Sequence, residues 1–213
     1  MDELEILKQD WKKQDRNYPY LSYDQIYKML WKKSSSIVKW IFVISVLEFL
    51  FWAVLSVFFI NDDYWAQLER IHLTEFTIVL YVISYSITFY FIYQFYRNYK
   101  KISATDDAVT LMDNILKTRR TVKLYIAFII ISTFITLLVS IYFTFNYHMN
   151  NAEVVDPTKD YSFDLTQWAI FLGFTALFIT LFLGLIWLFY RLLYGILLKK
   201  LEKNYKELKN LEI

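Results

Sequence analysis

Cysteine is absent from this 213-residue chain. Disulfides, thiolate metal sites, S-acylated anchors and cysteine nucleophiles are therefore excluded. Histidine occurs only twice, as His72 and His148, and neither lies in a long apolar segment. Haem held by histidines inside a membrane, and the histidine clusters of membrane non-haem iron oxygenases, are therefore not expected.

Glycine and proline are also scarce, with three glycines and two prolines. The chain has no glycine-rich phosphate loop, Ser-His-Asp arrangement or HExxH motif. Secondary transporters commonly build their binding sites from broken helices, and uninterrupted apolar segments argue against that plan. We expect no cofactor and no bound metal, and these absences favour a non-enzymatic protein.

Apolar residues dominate what is present, since 57% of the chain is hydrophobic and 21% is aromatic. Four apolar segments lie at about 40–60, 76–96, 124–147 and 168–190. Each is long enough, at about 1.5 Å per helical residue, to cross a hydrocarbon layer about 30 Å thick. The sequence therefore predicts an all-α integral membrane protein with a four-helix bundle over residues 37–190.

Charge is distributed unevenly between the two sides of this bundle. Of the 23 basic residues, only Arg70 and Lys159 lie in the two acidic loops that follow the first and third segments. The positive-inside rule places the other basic segments, and with them both termini, in the cytoplasm. The charged N-terminus lacks the features of a signal peptide, so the first span is expected to insert by itself.

The basic side also carries helical patterns outside the spans. Residues 1–36 are predicted to form amphipathic helices, the second of which starts at a Ser-x-x-Gln capping box at Ser22. Residues 103–120 are predicted to form a loop helix capped by Ser103 or Thr105. These segments predict a helical extension of the bundle on the cytoplasmic side.

One stretch resembles a known family. The region from the capping box through KKSSSIVKW to Glu48 resembles small four-span proteins of the bacterial inner membrane. The resemblance implies a multi-pass protein in that membrane. It implies no activity for this chain.

Glu48 is the one charged residue of the first span and the main candidate for a functional group. Ser45, Glu48, Trp52 and Ser56 recur at helical spacing, so they share one face of the helix. A carboxyl group inside a span is costly and marks a bundle interior, an ion path or a polar contact. Two interpretations stay open: a clasp hydrogen-bonded to a hydroxyl of another helix, or a titrating or ligand-binding acid.

The other spans offer candidate partners for this polar face. Tyr85 lies deep in the second span, and the third span carries a hydroxyl stripe that includes Ser132, Thr136 and Ser140. The fourth span carries small residues at helical spacing, which predict close helix packing: Gly173, Ala176, Thr180 and Gly184.

Residues 191–213 are predicted to continue the fourth span as a cytoplasmic helix. A short heptad pattern there places Leu197, Leu201, Leu208 and Leu211 on one face, with a polar Asn204 among them. This face could pack within the chain, or it could dock a protein partner or a second copy.

Two functional hypotheses follow. The preferred one is a non-enzymatic inner-membrane scaffold or regulatory subunit that presents its cytoplasmic helices to a protein partner. The alternative is a small proton- or ion-coupled transporter or channel that uses Glu48. The expected partners are membrane lipid and either a cytoplasmic or membrane protein or a homo-oligomer. No nucleic acid is expected, and the motif-free acidic loops are expected to be solvated surface.

Overall fold

A capping box starts the first helix. The backbone N–H of Ser22 donates to Gln25 Oε1 at 3.0 Å, and the Gln25 N–H donates to Ser22 Oγ at 3.3 Å. Each side chain satisfies a backbone N–H that has no partner within the first helical turn. The predicted helix start is confirmed.

The computed structural model describes residues 22–59, 61–105, 107–155 and 164–211. This part of the chain is all-α, as predicted, and contains no strand. Four of the helices are long and apolar enough to cross a membrane, so the chain is a multi-pass membrane protein. The helix predicted before Ser22 lies outside the described residues. The six helices are α1 (Tyr23–Phe59), α2 (Asp62–Arg70), α3 (Thr74–Ser103), α4 (Ala108–Val155), α5 (Leu165–Leu193) and α6 (Gly195–Leu211).

Aromatic contacts hold the antiparallel spans in register. The rings of Phe49 on α1 and Phe89 on α3 lie 4.9 Å apart. Tyr125 on α4 lies 5.3 Å from Phe91 on α3 and 6.1 Å from Tyr190 on α5. These contacts bring the starts of α1 and α4 and the ends of α3 and α5 to the same side. We call this side, which carries most of the lysines and arginines, the basic end.

The hydrophobic core lies towards the basic end rather than at the middle of the spans, where most side chains face outward. Lipid is as apolar as these side chains, so the bilayer gives little drive to bury them. Beyond the bilayer, burying one large apolar side chain away from water stabilises the folded protein by about 1.5–3 kcal/mol. The side chains of this core include Leu30, Ile37, Val38, Ile41, Phe95, Ile102, Leu111, Ile115, Val122, Leu201 and Leu208.

Polar side chains within this core join different helices. Asn204 Nδ2 on α6 donates to Ser34 Oγ on α1 at 3.0 Å, and both residues are almost fully buried. The Trp31 indole on α1 donates to the Ile102 carbonyl on α3 at 2.9 Å. Such bonds require one relative position of the helices, whereas apolar contacts alone tolerate sliding.

The predicted loop helix and the third span form one unbroken helix, α4. Its cap is Asp107 rather than Ser103 or Thr105, because Asp107 Oδ2 accepts a hydrogen bond from the Thr110 N–H at 3.0 Å. The bonds from Thr110 hold the pKa of Asp107 below its ordinary value. Thr105 instead lies buried and accepts a hydrogen bond from Asn114 Nδ2 at 3.2 Å. The helix thus begins at Ala108, later than predicted.

One residue, Tyr194, separates the fourth span from the C-terminal helix that was predicted to continue it. α5 ends at Leu193, Tyr194 forms a turn, and α6 begins at Gly195. Hydrogen bonds from the Tyr194 N–H to the Tyr190 carbonyl at 2.9 Å and from the Leu198 N–H to the Tyr194 carbonyl at 2.8 Å limit the break to one turn.

The helix α2, in the first acidic loop, was not predicted. Asn61 Oδ1 caps it by accepting from the Tyr64 N–H at 2.9 Å. At its other end His72 has a φ of 56°, and the Leu73 N–H donates to the Leu68 carbonyl at 2.9 Å. This is the bonding pattern of a Schellman motif, in which the left-handed position is usually glycine. His72 therefore has a structural role in ending α2.

We predict that Asn204→Ala weakens the basic end, because it leaves the buried Ser34 hydroxyl without its partner. The expected loss is about 1–3 kcal/mol of unfolding free energy. Thermal unfolding of the purified protein, followed by tryptophan fluorescence, measures it as a fall of several degrees in Tm. Asn210→Ala is the matched control, since Asn210 is exposed on the same helix. Equal effects of the two substitutions would show that the Asn204–Ser34 bond contributes nothing.

Candidate functional site

The carboxyl group of Glu48 is enclosed by tyrosine hydroxyl groups. Glu48 is 7% exposed. The Tyr190 hydroxyl donates a hydrogen bond to its Oε1, and the Tyr194 hydroxyl donates to its Oε2 at 2.9 Å. Both carboxyl oxygens therefore have a donor from outside α1, which offsets much of the cost of placing a carboxyl group inside the protein.

A third tyrosine completes the enclosure. The Tyr125 hydroxyl is also a neighbour of the Glu48 carboxyl group. The rings of Tyr190 and Tyr194 stack, with centroids 6.0 Å apart and an interplanar angle of 9°. Tyr125 meets both rings edge-on at 6.1 Å. We call Glu48 and these three tyrosines the tyrosine cluster.

Helix geometry explains why two of the donors come from consecutive turns. Tyr190 and Tyr194 are four residues apart, a spacing that places side chains on the same helix face. The hydrogen bond from the Tyr194 N–H to the Tyr190 carbonyl keeps this spacing across the end of α5. α6 begins at the next residue, Gly195, directly after the residue whose hydroxyl donates to Oε2 of Glu48.

The tyrosine cluster closes the core on its membrane side. Glu48 is the last buried residue along α1, and Tyr125 is the last along α4 among residues whose burial is described. Phe91 and Phe95 of α3 lie behind Tyr125, with ring centroids 5.3 and 5.6 Å away. The cluster thus connects α1, α4 and the end of α5, with α3 as its support.

Comparison with known proteins identifies the family. The family model described as "Domain of unknown function (DUF8845)" matches residues 24–213. The chain belongs to this family. The match extends over all six helices, whereas the sequence resemblance covered only the region up to Glu48; the bacterial origin implied by that resemblance stays a prediction. No curated protein and no solved structure matches the chain.

In this DUF8845 chain, the predicted polar face of α1 is only partly assembled. Ser45 is buried but donates to the Phe42 carbonyl of its own helix at 2.7 Å. Trp52 is 52% exposed, and Ser56 donates to the Trp52 carbonyl at 2.9 Å. Of these four residues, Glu48 is the one whose side chain hydrogen-bonds to another helix.

The predicted hydroxyl partners lie elsewhere. Tyr85 makes an edge contact with Phe49, with ring centroids 6.0 Å apart. Ser132 donates to the Ile129 carbonyl and Thr136 to the Ser132 carbonyl, both on their own helix, and Ser140 is half-buried. Serine and threonine hydroxyls in a helix can donate a hydrogen bond to a backbone carbonyl of the preceding turn, as these two do. The third-span stripe is therefore not joined to Glu48.

The small residues of α5 face outward among the described residues. The stripe is exposed throughout, and none of its residues is part of the core: Gly173, Ala176, Thr180 and Gly184. A Cβ atom added at either glycine would have no other atom within 4 Å. No helix among the described residues packs closely against this stripe. Its predicted role in helix packing stays a prediction.

The C-terminal leucines mostly face the core. Leu201 and Leu208 are buried, Leu197 is half-buried against the same core, and the side chain of Leu211 lies outside the described residues. Leu201 and Leu208 are therefore inaccessible to a docking partner, because they are packed inside the core. Of the two alternatives, their burial favours packing within the chain.

The sequence analysis did not assign Tyr125, Tyr190 or Tyr194 to the site. A usable signal was present: two tyrosines four residues apart at the basic end of one span, and another at the basic end of the neighbouring span. Hydroxyl donors at that depth suit a buried carboxyl group.

The described residues contain no group of three or more histidine, cysteine, aspartate or glutamate side chains placed to hold a metal. The arrangement is chemically a hydrogen-bonded clasp.

We predict that Tyr194→Phe and Glu48→Ala both destabilise the protein. Tyr194→Phe removes one donor and should cost about 1–2 kcal/mol, while Glu48→Ala leaves two buried hydroxyls without an acceptor and should cost roughly 2–4 kcal/mol. The double variant should lose less than the sum of the two, because they remove the same contact. Thermal unfolding of the purified variants measures these differences.

Tyr93→Phe is the matched control, since Tyr93 is 60% exposed on α3. Its effect should stay within about 0.5 kcal/mol. A strictly additive double variant, or a Tyr194→Phe effect no larger than that of the control, would rule out the clasp.

Proposed function

We propose that the protein is a non-enzymatic scaffold or regulatory subunit of the bacterial inner membrane, with a cytoplasmic platform of helices that binds a protein partner. One observation carries this proposal: the basic-end parts of α1, α4 and α6 form a packed core that is continuous with the spans. Because α1 and α4 are unbroken, the platform is joined rigidly to the membrane part. Such a unit is suited to holding a partner at a fixed position.

The cytoplasmic orientation rests on charge. The described start of α1 and the described end of α6 both belong to the basic end, and the acidic loops lie on the opposite side. The positive-inside rule assigns the basic end to the cytoplasm. A partner would then be a cytoplasmic protein or the cytoplasmic part of another membrane protein.

The outward surface of α6 indicates what kind of partner would bind. Lys199, Lys200, Lys203 and Lys206 are exposed at helical spacing on the side opposite the core; we call them the lysine face. Lys203 and Lys206 have nearby acids on the same helix, at 3.7 and 3.3 Å. These pairs leave the lysine face with a net positive charge, which favours a partner with an acidic surface.

The transport alternative receives less support from the geometry. Glu48 is enclosed by tyrosines, and the hydroxyls of Ser56, Ser132 and Thr136 bond to their own helices. A proton path would need polar groups or water that connect Glu48 with both sides of the membrane. Proteoliposomes would show pH-driven flux that Glu48→Gln abolishes if the alternative were correct.

We predict that reversing charge on the lysine face releases the partner. The double variant Lys199→Glu and Lys203→Glu should reduce recovery of co-purifying protein from native membranes at least tenfold, because it replaces attraction by repulsion. Quantitative mass spectrometry of material extracted with membrane lipid measures the recovery. Raising the salt concentration should weaken the wild-type complex as well.

Lys100→Glu with Lys101→Glu is the matched control, since both lysines are exposed at the basic end on α3. It should retain the partner. Repeated recovery of no stoichiometric partner with the wild-type protein would contradict the scaffold proposal, and equal loss in both variants would contradict the assignment to the lysine face.

A further inference from the structure

A groove lies along α4 where this helix enters its span. Its volume is about 490 Å³, and one helix supplies its described lining: Leu116, Arg119, Arg120, Lys123, Leu124 and Ala127. Three of these six side chains are cationic and three are apolar. We call this feature the α4 groove.

The cations of the groove exceed the acids that neutralise them. Arg119 Nη2 donates to Glu202 Oε2 on α6 at 2.9 Å, and its Nε is buried without a hydrogen-bond partner. Arg120 and Lys123 are exposed, and no described carboxylate lies within ion-pair distance of either. One carboxylate therefore faces three positive charges.

Glu202 is itself shared with another cation. Lys206 lies 3.3 Å from its Oε1. Lys206 and then Arg119 hold the pKa of Glu202 below its ordinary value, so Glu202 stays ionised and keeps Arg119 in place at neutral pH. A fixed arginine beside two unpaired cations is an arrangement that recognises a phosphate group.

The exposed face of α4 continues from these cations into the span as an apolar stripe. The residues recur at helical spacing, and all of them face away from the protein interior: Leu124, Ala127, Ile131, Phe134, Ile135 and Leu138. A charged site that merges into such a stripe matches a molecule with an anionic head and a long apolar tail. A soluble phosphate compound would leave the stripe unused.

We propose that the α4 groove binds an anionic phospholipid, with its phosphate held by Arg119, Arg120 and Lys123 and its acyl chain along Leu124, Ala127 and Ile131. The cations at the end of a span coincide with the depth of lipid headgroups, where basic side chains attract anionic lipid. Glu202 lies between Arg119 of the groove and Lys206 of the lysine face, but no lysine of that face lines the groove. The lipid proposal therefore does not require the proposed protein partner.

Binding of phosphatidylglycerol and phosphatidylcholine to the purified full chain, measured by native mass spectrometry, tests the proposal. Phosphatidylglycerol should bind with at least tenfold higher affinity than phosphatidylcholine. The double variant Arg120→Gln and Lys123→Gln should lower phosphatidylglycerol affinity about tenfold or more and leave phosphatidylcholine unchanged. Because both side chains are exposed, the fold should be retained.

Two further variants separate a site from general charge attraction. Arg120→Lys with Lys123→Arg keeps both charges and should retain most of the binding. Lys199→Gln with Lys200→Gln removes two charges on α6, outside the groove lining, and should have little effect. An equal loss in this control, or no loss in the groove variant, would overturn the proposal.

Soluble competitors identify the source of the anion. At equal concentration, sn-glycerol 3-phosphate and polyglutamate should both fail to displace phosphatidylglycerol, since neither can use the apolar stripe. Displacement by glycerol phosphate would assign the groove to a free phosphate compound. Displacement by polyglutamate would assign it to an acidic protein segment, and either result would overturn the lipid assignment.

Discussion

The bond between Glu48 and the tyrosine hydroxyls is the constraint on which the arrangement of the helices depends. Glu48 belongs to the first span, while Tyr190 and Tyr194 lie at the end of the last span and at the turn that follows it. Between apolar helices in lipid there is little hydrophobic drive that would select one packing arrangement over another. A buried carboxyl group with two required donors removes that freedom, because displacing either helix would leave polar groups unpaired in an apolar environment.

The core extends from this cluster towards water, and its position has a physical cause. Segments inside the bilayer can leave their apolar side chains facing lipid, as Val57 and Phe174 do at 80% and 70% exposure. Beyond the membrane the same helices must bury their apolar faces against one another. Leu111 on α4 and Leu201 on α6 are fully buried for this reason, although both lie outside the predicted spans.

The difference between lipid-facing spans and a packed basic end affects which surfaces are available for binding. The leucines Leu201 and Leu208 of α6 are buried in the core. The side chains that α6 exposes are mainly lysines, so its outward surface is cationic. Along α4, by contrast, one outward face passes from cations to apolar residues without interruption. A protein partner and a membrane lipid therefore have different surfaces to recognise, one on α6 and one on α4.

The sequence by itself determined the all-α class, the four spans and the helix start at Ser22, because these depend on local properties: the length of an apolar run and the hydrogen bonds of one turn. It also singled out Glu48, since a carboxyl group in a span is conspicuous whatever surrounds it. Only the tertiary structure decided that tyrosines at the end of the last span, rather than Tyr85 or the hydroxyl stripe of the third span, supply its donors. It likewise decided that Leu201 and Leu208 are buried and that the last two helices are separated at Tyr194. Helical spacing shows which residues share a face, but the rotation and depth of each helix against its neighbours are set by long-range contacts, and these decide where each face points.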